Sequence, residues 1–398
     1  MGGEAKVDAE QDDSDGERSE TSSTRPKSPE NYSGHSDALF GLCYSPGQEK
    51  GNYLASGSDD GTARIWSLET RKTVVVLKHH GGDVNSVSFS ADGRLVATAS
   101  SDNTIAIWNQ ESPGNWGSGS RSLPVQILPG HSSMIWPVNF APHGHRLVSS
   151  ANDSQARVWV INVDLPKAKD SEQKVELEQD ILWSENSSGA GRSRPVICVS
   201  ASPDDKVIAS GCRGGKISLW DATTGAHLRT MKDAHIRPVA SLVFSEDGET
   251  LVSTSWDGSA IVWNVDDKST TAAHHLKGHE DWVRGAAISS NKAMVATACD
   301  DRAVRGWDIS ASLEPTSDNG GSRSRSIQPR VFQGHRDYVF SVAFSRDGRY
   351  LASGGDDGIV MFWDLSDTGD KEKSNKEVDD RNNRWWRRIV FTPDGNTV

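Results

Sequence analysis

The feature that most constrains the fold of this chain is a unit that recurs seven times and ends in tryptophan. Each tryptophan closes a short apolar run, at Trp66, Trp108, Trp159, Trp220, Trp263, Trp307 and Trp363. Ten residues before each one stands a hydroxyl side chain, at Ser56, Thr98, Ser149, Ser210, Ser253, Thr297 and Ser353. A period of roughly 40 to 60 residues indicates a repeat architecture rather than several unrelated domains in the 398 residues.

Two further residue types complete the unit. Six residues before the tryptophan comes aspartate in six units, at Asp60, Asp102, Asp153, Asp257, Asp301 and Asp357, with Gly214 in the fourth. A histidine opens the same six units, at His35, His80, His131, His235, His279 and His335, and the fourth has Arg192. Alternating apolar residues flank turns such as FSADG, FSEDG and FSRDG. This pattern predicts antiparallel strands joined by tight turns.

The four residue types predict a hydrogen-bond chain inside each unit. A buried tryptophan has only an N–H to donate, and a hydroxyl on the next strand can accept it. That hydroxyl can donate to a histidine, and the second imidazole nitrogen can donate to an aspartate. Unit four has lost histidine and aspartate together. This is expected, because losing only one of them would leave the other buried without a hydrogen-bond partner, at a cost of about 1–3 kcal/mol.

With these residues the chain resembles the WD-repeat (WD40) family of β-propellers. The match includes LASGSDDGTARIWS near the start and GHRDYVFSVAFSRDGRYLASGGDDGIVMFWD near the end, and it covers about residues 34–364. The resemblance implies an all-β, seven-bladed propeller of four-stranded antiparallel blades around a central channel. We assign residues 34–365 to the propeller.

The remaining segments are predicted from composition. Residues 1–33 are acidic and almost free of large apolar side chains, which predicts a disordered tail. Stretches 109–124, 163–195 and 310–329 are rich in Gly, Ser, Arg or Pro and predict flexible loops, so Trp116 is expected to be dispensable for folding. Residues 366–383 form a charged loop. Residues 384–398 have two interpretations: WWRRIVF as the outer strand that closes blade seven, or RIVFTPDGNTV as the start of a truncated eighth repeat.

Composition excludes several classes of protein. The net charge of −12 disfavours direct nucleic-acid binding. No apolar run of about 18 residues exists to cross a membrane, and the N-terminus lacks the apolar region of a secretory signal. Four cysteines without a CxxC pair predict neither disulfides nor a cysteine zinc site, which favours an intracellular location in cytoplasm or nucleus.

Enzymatic chemistry is not predicted. Ser, His and Asp recur together like a hydrolase triad, but a structural network is made once per repeat, whereas a catalytic site is normally made once. No phosphate-binding glycine loop or metal-ligand spacing is present. We therefore expect no cofactor and no metal.

The resemblance implies where partners bind. In this family three positions per repeat line the top face of the ring: three and five residues after the histidine, and just before the turn aspartate. Their aromatic, large and charged members give the candidate partner-binding residues Phe40, Met134, Trp136, Trp256, Trp282, Arg284, Asp300, Tyr338, Phe340 and Asp356. Exposed aromatic side chains are typical interface anchors. The aspartates favour a basic or amide-rich peptide.

These observations predict a non-enzymatic scaffold that binds protein or peptide partners through the top face, with no direct nucleic-acid or membrane contact. The alternative is a nuclear chromatin or transcription subunit, because the seventh repeat resembles those of the fungal general co-repressor family. That family has an N-terminal tetramerising helix, and residues 1–33 show no heptads. A propeller enzyme ranks third. The sequence leaves the oligomeric state open.

Overall fold

The computed structural model describes residues 34–46, 53–110, 116, 123–141, 146–164, 174–184, 195–265, 270–310, 327–366 and 378–379. Within these ranges the secondary structure is all-β and forms seven sheets of four antiparallel strands, each in simple up-and-down order. The all-β prediction of seven four-stranded blades is therefore confirmed. We number the blades one to seven in chain order.

The strands are grouped here by their position in the blade. The innermost strands are β1 (Leu39–Tyr44), β5 (Val84–Phe89), β9 (Ile135–Phe140), β13 (Val196–Ala201), β17 (Val239–Phe244), β21 (Val283–Ile288) and β25 (Val339–Phe344). The second strands are β2 (Tyr53–Ser58), β6 (Leu95–Ser100), β10 (Arg146–Ala151), β14 (Val207–Cys212), β18 (Thr250–Ser255), β22 (Met294–Cys299) and β26 (Tyr350–Gly355).

The outer half of each blade follows the same order. The third strands are β3 (Thr62–Ser67), β7 (Ile105–Asn109), β11 (Gln155–Asp164), β15 (Ile217–Asp221), β19 (Ser259–Asn264), β23 (Val304–Asp308) and β27 (Ile359–Asp364). The outermost strands are β4 (Thr73–Lys78), β8 (Gln126–Leu128), β12 (Lys174–Ser184), β16 (His227–Thr230), β20 (His274–Lys277), β24 (Arg330–Phe332) and β28 (Val378–Asp379).

The core lies between neighbouring blades. The second strands are almost completely buried, as in β6 (LVATAS) and β26 (YLASGG), because both of their faces are covered. Hydrophobic clusters form from the facing residues of two successive blades, such as Ile65 and Leu77 of blade one with Val87 of blade two. Each blade thus depends on its neighbour for burial, which is the usual logic of repeat architectures.

Two segments predicted as flexible loops contain ordered structure. Residues 174–184, within the predicted loop 163–195, form the long strand β12, which pairs with β11 over its whole length. The alternation of Val175 and Leu177 with charged residues is a strand pattern that the polar composition of the surroundings obscured. β28 lies inside the predicted charged loop 366–383 and pairs with β27.

The position of Trp116 contradicts the prediction that this residue is dispensable for folding. Its side chain is only 1% exposed and belongs to the core between blades one and two. It packs edge-on against Phe89, with ring centroids 6.2 Å apart, and its backbone N–H donates to the hydroxyl of Tyr53. A single large ring gains enough from burial to enter the core even when its neighbours in sequence are polar.

Replacing Trp116 by alanine is therefore expected to destabilise the protein. Loss of a buried indole leaves a cavity between blades one and two and lowers the free energy of unfolding by about 3 kcal/mol. Chemical denaturation followed by circular dichroism measures the change. Leu123→Ala is the control, because Leu123 is 68% exposed and its truncation should be almost silent. Equal midpoints for wild type and the Trp116 variant would contradict the core placement.

Candidate functional site

The predicted hydrogen-bond chain is present in six blades. In blade one the indole Nε1 of Trp66 lies 2.7 Å from Ser56 Oγ, which lies 2.7 Å from His35 Nε2. His35 Nδ1 lies 2.8 Å from a carboxylate oxygen of Asp60. Blades two, three, five, six and seven repeat this arrangement with distances between 2.7 and 3.0 Å.

The direction of these bonds identifies a structural network. Because the indole can only donate, the Ser56 hydroxyl accepts from Trp66 and donates to His35 Nε2, so Nδ1–H donates to Asp60. Burial alone would raise the pKa of Asp60, but hydrogen bonds from Thr62 and His35 outweigh it and lower the pKa to about 2. Ser56 is 2% exposed, so a substrate could not reach its oxygen. The Ser–His–Asp geometry thus stabilises each of these six blades.

Blade four keeps only half of the network. Trp220 Nε1 still donates to Ser210 Oγ at 2.8 Å. The ring of His227, from the outermost strand, packs edge-on against Trp220 with centroids 5.0 Å apart. Gly214 replaces the aspartate, as predicted, and position 192 lies outside the described residues.

One group of side chains in blade six has the residue types of a metal site. His279, Cys299 and Asp301 offer ligand atoms within 4.8 Å of one another. Cys299 stands where blades one, two and five have serine, and its sulfur accepts the Asp301 N–H as Ser58 Oγ accepts that of Asp60. Burial raises the pKa of the Cys299 thiol to about 12, and Arg305 donates to Asp301. A neutral thiol beside a bound guanidinium does not favour a cation, so we assign this group to the structural network.

Backbone hydrogen bonds bring the predicted top-face positions together. We define the top face as the one that carries the turns between second and third strands. In every blade, the backbone N–H just before the turn aspartate (Gly214 in blade four) donates to a carbonyl in the loop that precedes the innermost strand. The acceptor is the residue three positions after the histidine position, as in the bond from Asp300 N–H to Trp282 O at 3.0 Å. Side chains at these two positions are therefore neighbours in all seven blades.

The largest group of these neighbours spans blades five, six and seven. The indoles of Trp256 and Trp282 stack face to face, with centroids 4.3 Å apart and planes at 5°. The guanidinium of Arg284 lies 4.8 Å from the Trp282 ring, 5.6 Å from the Trp256 ring and 5.6 Å from the Phe340 ring. We call Trp256, Trp282, Arg284 and Phe340 the aromatic–arginine cluster. Cation–π contacts of this kind hold the rings and the guanidinium in one arrangement.

Asp300 holds the arginine of this cluster in place by a paired hydrogen bond. Its carboxylate accepts from Arg284 Nε at 2.9 Å and from Nη2 at 2.7 Å, a two-pronged pairing. The Asp300 side chain is only 5% exposed. The sequence predicted Asp300 as an acidic group facing a ligand, but its charge is paired with Arg284 inside the protein. It positions Arg284 and does not offer an exposed negative charge.

The tryptophans of this cluster differ from the structural tryptophans in the hydrogen bonding of their indole N–H groups. Each of the seven repeat tryptophans donates its N–H to a serine or threonine hydroxyl. Trp256 and Trp282 make no such bond with any described residue, and both rings are partly exposed. The Nη1 atom of Arg284 likewise has no hydrogen bond within the described ranges. Three donor atoms of the cluster, Trp256 Nε1, Trp282 Nε1 and Arg284 Nη1, therefore have no acceptor among the described residues.

The other predicted residues are spread around the top face. Tyr338 is 41% exposed on blade seven, and its carbonyl accepts the N–H of the half-buried Asp356. Trp136 of blade three is 40% exposed and donates to Asn152, beside the partly buried Met134. Phe40 of blade one is partly buried. The structure therefore brings Trp256, Trp282, Arg284, Asp300 and Phe340 into contact. Among the described residues, the exposed rings of Trp136 and Tyr338 make no ring contact with that group.

Ile236 is a surface residue that the sequence analysis missed. It follows His235 in blade five and is 89% exposed, although its N–H donates to Asp257. The same position holds Ser36, Gly81, Ser132, Glu280 and Arg336 in the other blades. The available signal was an isoleucine at a position that holds small or polar residues in these other blades.

Comparison with known proteins identifies the family. The sequence profile of the WD domain, G-beta repeat family matches residues 27–67, 71–109, 122–160, 270–308 and 327–364. The chain belongs to the WD-repeat family of β-propellers. A profile of the Vps8 beta-propeller matches residues 175–280, so the stretch with the atypical fourth repeat is also similar to a known propeller.

Individual relatives of this WD-repeat protein are distant. Nuclear distribution protein PAC1 of Arthroderma benhamiae is 26% identical over 80% of the chain and 68% of its own length. Protein SEC13 homolog of Drosophila melanogaster is 25% identical over 82% of the chain and 78% of its own length. WD repeat-containing protein 37 of Mus musculus is 25% identical over 84% of the chain and half of its own length. Among the described residues, no helix has the length and apolarity to span a membrane.

Proposed function

We propose that this WD-repeat protein is a non-enzymatic scaffold that binds a protein or peptide partner at the aromatic–arginine cluster of its top face. The observation that supports it best is the stacked pair of Trp256 and Trp282 held by Arg284, on the surface and outside the hydrophobic core. Tryptophan and arginine are the residues most enriched among interface anchors. The propeller family is typically one of interaction scaffolds, which supports the same function.

The chemistry of the cluster favours a particular class of partner. Trp256 Nε1, Trp282 Nε1 and Arg284 Nη1 all donate, so the partner must supply oxygen acceptors. Backbone and side-chain amides provide them, and an apolar side chain next to them can cover the indole faces. An amide-rich peptide segment fits this arrangement. Asp300 is already paired with Arg284, so its charge adds no attraction for a basic partner.

Two exposed residues of blades five and seven extend the proposed surface. Tyr338 adds an exposed phenol on blade seven, and Ile236 adds an exposed aliphatic side chain on blade five. An anchor group with apolar residues at its edges excludes water from the central contacts, which strengthens the hydrogen bonds there. No observation favours the co-repressor alternative over the broader scaffold function.

The proposed surface is tested with Trp282→Ala/Tyr338→Ala and a matched control, Leu228→Ala/Val331→Ala. Leu228 and Val331 are also exposed, at 50% and 43%, but lie on outermost strands. Tagged proteins are used to isolate partners from cell extract, and mass spectrometry quantifies them. We expect the top-face variant to lose its main partners by at least about tenfold, since each truncated anchor costs about 2 kcal/mol.

The control should keep those partners, and both variants should keep the circular-dichroism spectrum of the wild type. Partners lost from the Leu228/Val331 variant and retained by the Trp282/Tyr338 variant would place the binding surface on the sides of the blades. They would thereby refute the top-face proposal.

A further inference from the structure

At one position of the top face, blade five reverses the charge found in three other blades. The residue two positions after the repeat histidine is an exposed aspartate in blades one, six and seven, at Asp37, Asp281 and Asp337. Each of these aspartates accepts the N–H of the residue that follows it, at 2.8 to 2.9 Å. In blade five the position holds Arg237, and Pro238, which follows, has no N–H to donate. A carboxylate therefore has no structural role there, and a side chain of opposite charge takes its place.

Blade four carries a second arginine on the same face. Arg213 is exposed and stands just before the turn, at the position that is aspartate in blades one, six and seven. Two residues later, Gly215 O accepts the N–H of His235 at 3.1 Å. Gly215 has a φ of 85°, and a Cβ added to it would lie 3.0 Å from the carbonyl oxygen of Arg237. The two arginines therefore belong to backbone segments that are in direct contact.

Neither of these two guanidinium groups is neutralised within the described part of the chain. Among the described residues, the side chains of Arg213 and Arg237 form no hydrogen bond and no ion pair. Arg284 differs, because the buried Asp300 carboxylate binds its guanidinium. Two unpaired positive charges on adjoining segments attract an anionic group more strongly than either charge alone.

An exposed aliphatic side chain accompanies the two arginines. Ile236 directly precedes Arg237 and is 89% exposed. Its N–H donates to the Asp257 carboxylate at 3.1 Å, so the backbone of this loop is fixed while the isoleucine side chain remains in solvent. We call Arg213, Ile236 and Arg237 the basic–aliphatic patch. Such a patch matches a ligand that offers an acidic group and an apolar group together.

The basic–aliphatic patch adjoins the aromatic–arginine cluster. Pro238 follows Arg237 in the chain, and its carbonyl accepts the N–H of Trp256 at 3.1 Å. One blade further on, Asp281 is exposed at the position that corresponds to Arg237. At this position of the repeat, the charge therefore changes from positive to negative across the cluster. A partner segment that lies over the cluster has a defined end at which an acidic residue is favoured, above blades four and five.

We propose that the basic–aliphatic patch binds an acidic side chain of the partner segment, with a neighbouring apolar side chain placed on Ile236. This inference rests on the proposed scaffold function, because it assigns the chemistry of the segment that continues from the aromatic–arginine cluster. A peptide is favoured over a nucleic acid, since two arginines beside an exposed isoleucine do not follow a phosphate backbone. The net charge of −12 also repels a polyanion.

Selection of short random peptides from a display library, with the full chain as bait, tests this assignment. We expect the wild type to enrich peptides in which Asp or Glu adjoins a large apolar residue. Arg213→Glu/Arg237→Glu should enrich Lys or Arg at that place instead, because the ligand then meets negative charge. The control Lys72→Glu/Lys206→Glu makes the same change in net charge at exposed lysines on the opposite face, and it should keep the acidic preference.

Affinities for one enriched peptide, measured by fluorescence anisotropy, give the size of the effect. Arg213→Glu/Arg237→Glu should weaken binding at least about tenfold, because each attraction becomes a repulsion. The loss should be smaller at high salt, which screens exposed charges. Ile236→Ser should weaken binding about threefold, as expected for partial burial of an aliphatic side chain. All variants should keep the circular-dichroism spectrum of the wild type, because the substituted side chains are exposed.

A change in the peptide shows whether the charges interact directly. Replacing its acidic residue by the corresponding amide should weaken binding to the wild type. Arg213→Glu/Arg237→Glu should then cause little further loss, as expected when the two changes remove the same contact. Equal binding of the acidic peptide and its amide counterpart would overturn the proposal.

Two other results would also overturn it. One is an acidic preference that Arg213→Glu/Arg237→Glu leaves unchanged. The other is binding of a single-stranded oligonucleotide that this charge reversal abolishes while no acidic peptide is enriched, because the ligand would then be a nucleic acid. The pull-down with Trp282→Ala/Tyr338→Ala tests the scaffold function separately. Loss of partners in that experiment, together with no acidic preference in this one, would reject the present inference alone.

Discussion

Trp263→Ala is expected to lower the free energy of unfolding by about 3–5 kcal/mol, the range for truncation of large buried aromatic side chains. Trp263 is fully buried and shares its cluster with Ile217 and Leu219 of blade four, so its removal weakens the contact between two blades. It also leaves the Ser253 hydroxyl without the N–H that lies 2.9 Å away. Both effects act in the same direction.

Trp256→Ala is the matched control, because the same residue type lies in the same blade but on the top face. Its ring is stacked on Trp282 outside the core, and loss of one such pair costs about 1 kcal/mol. Chemical denaturation of the two variants measures the difference. Equal losses of stability would show that Trp256 is a core residue, which would remove the main support for the proposed binding surface.

The repeat explains why so much of the fold could be predicted from sequence. Trp263, Ser253, His235 and Asp257 are each ambiguous alone, but tryptophan, a hydroxyl residue, histidine and aspartate recur at nearly the same spacing in five other units. Such a recurrence is expected only if the four side chains have the same geometry in each of these repeats. The hydrogen bonds from Trp263 to Asp257 confirm it.

The segments that failed to be predicted are those that do not repeat. Trp116 and β12 occur once each, within stretches of polar composition, so no second copy marked them as ordered. Composition reports average burial over a segment, whereas a single indole or one paired strand can be ordered within it. The same limit applies to β28, a pair of residues in a charged stretch.

The sequence predicted which positions line the top face, but not which of their side chains contact one another. The fixed spacing from the histidine located Trp282 and Arg284, because backbone geometry is shared among blades. It did not predict that Arg284 would turn toward Asp300 and lie over Trp256. Those contacts depend on side-chain rotamers and on residues from neighbouring blades, and no other blade has the same set.

The pairing of Arg284 with Asp300 leads to an asymmetric prediction. Arg284→Met should lower the free energy of unfolding by about 3 kcal/mol, because it leaves the buried Asp300 carboxylate without its partner. Asp300→Asn should cost only about 1 kcal/mol, because the Arg284 side chain is 26% exposed and can be hydrated. Denaturation midpoints of both single variants and of the double variant measure the asymmetry.

The double variant Arg284→Met/Asp300→Asn distinguishes a buried ion pair from two independent side chains. Once Arg284 has been replaced, removing the stranded charge of Asp300 should restore stability, so the double variant should be more stable than Arg284→Met alone. Its loss should also be smaller than the sum of the two single losses, as expected for residues in direct contact. Strict additivity would mean that Asp300 is hydrated in the absence of Arg284. The arginine would then be held by the rings of Trp256 and Trp282 rather than by the Asp300 carboxylate.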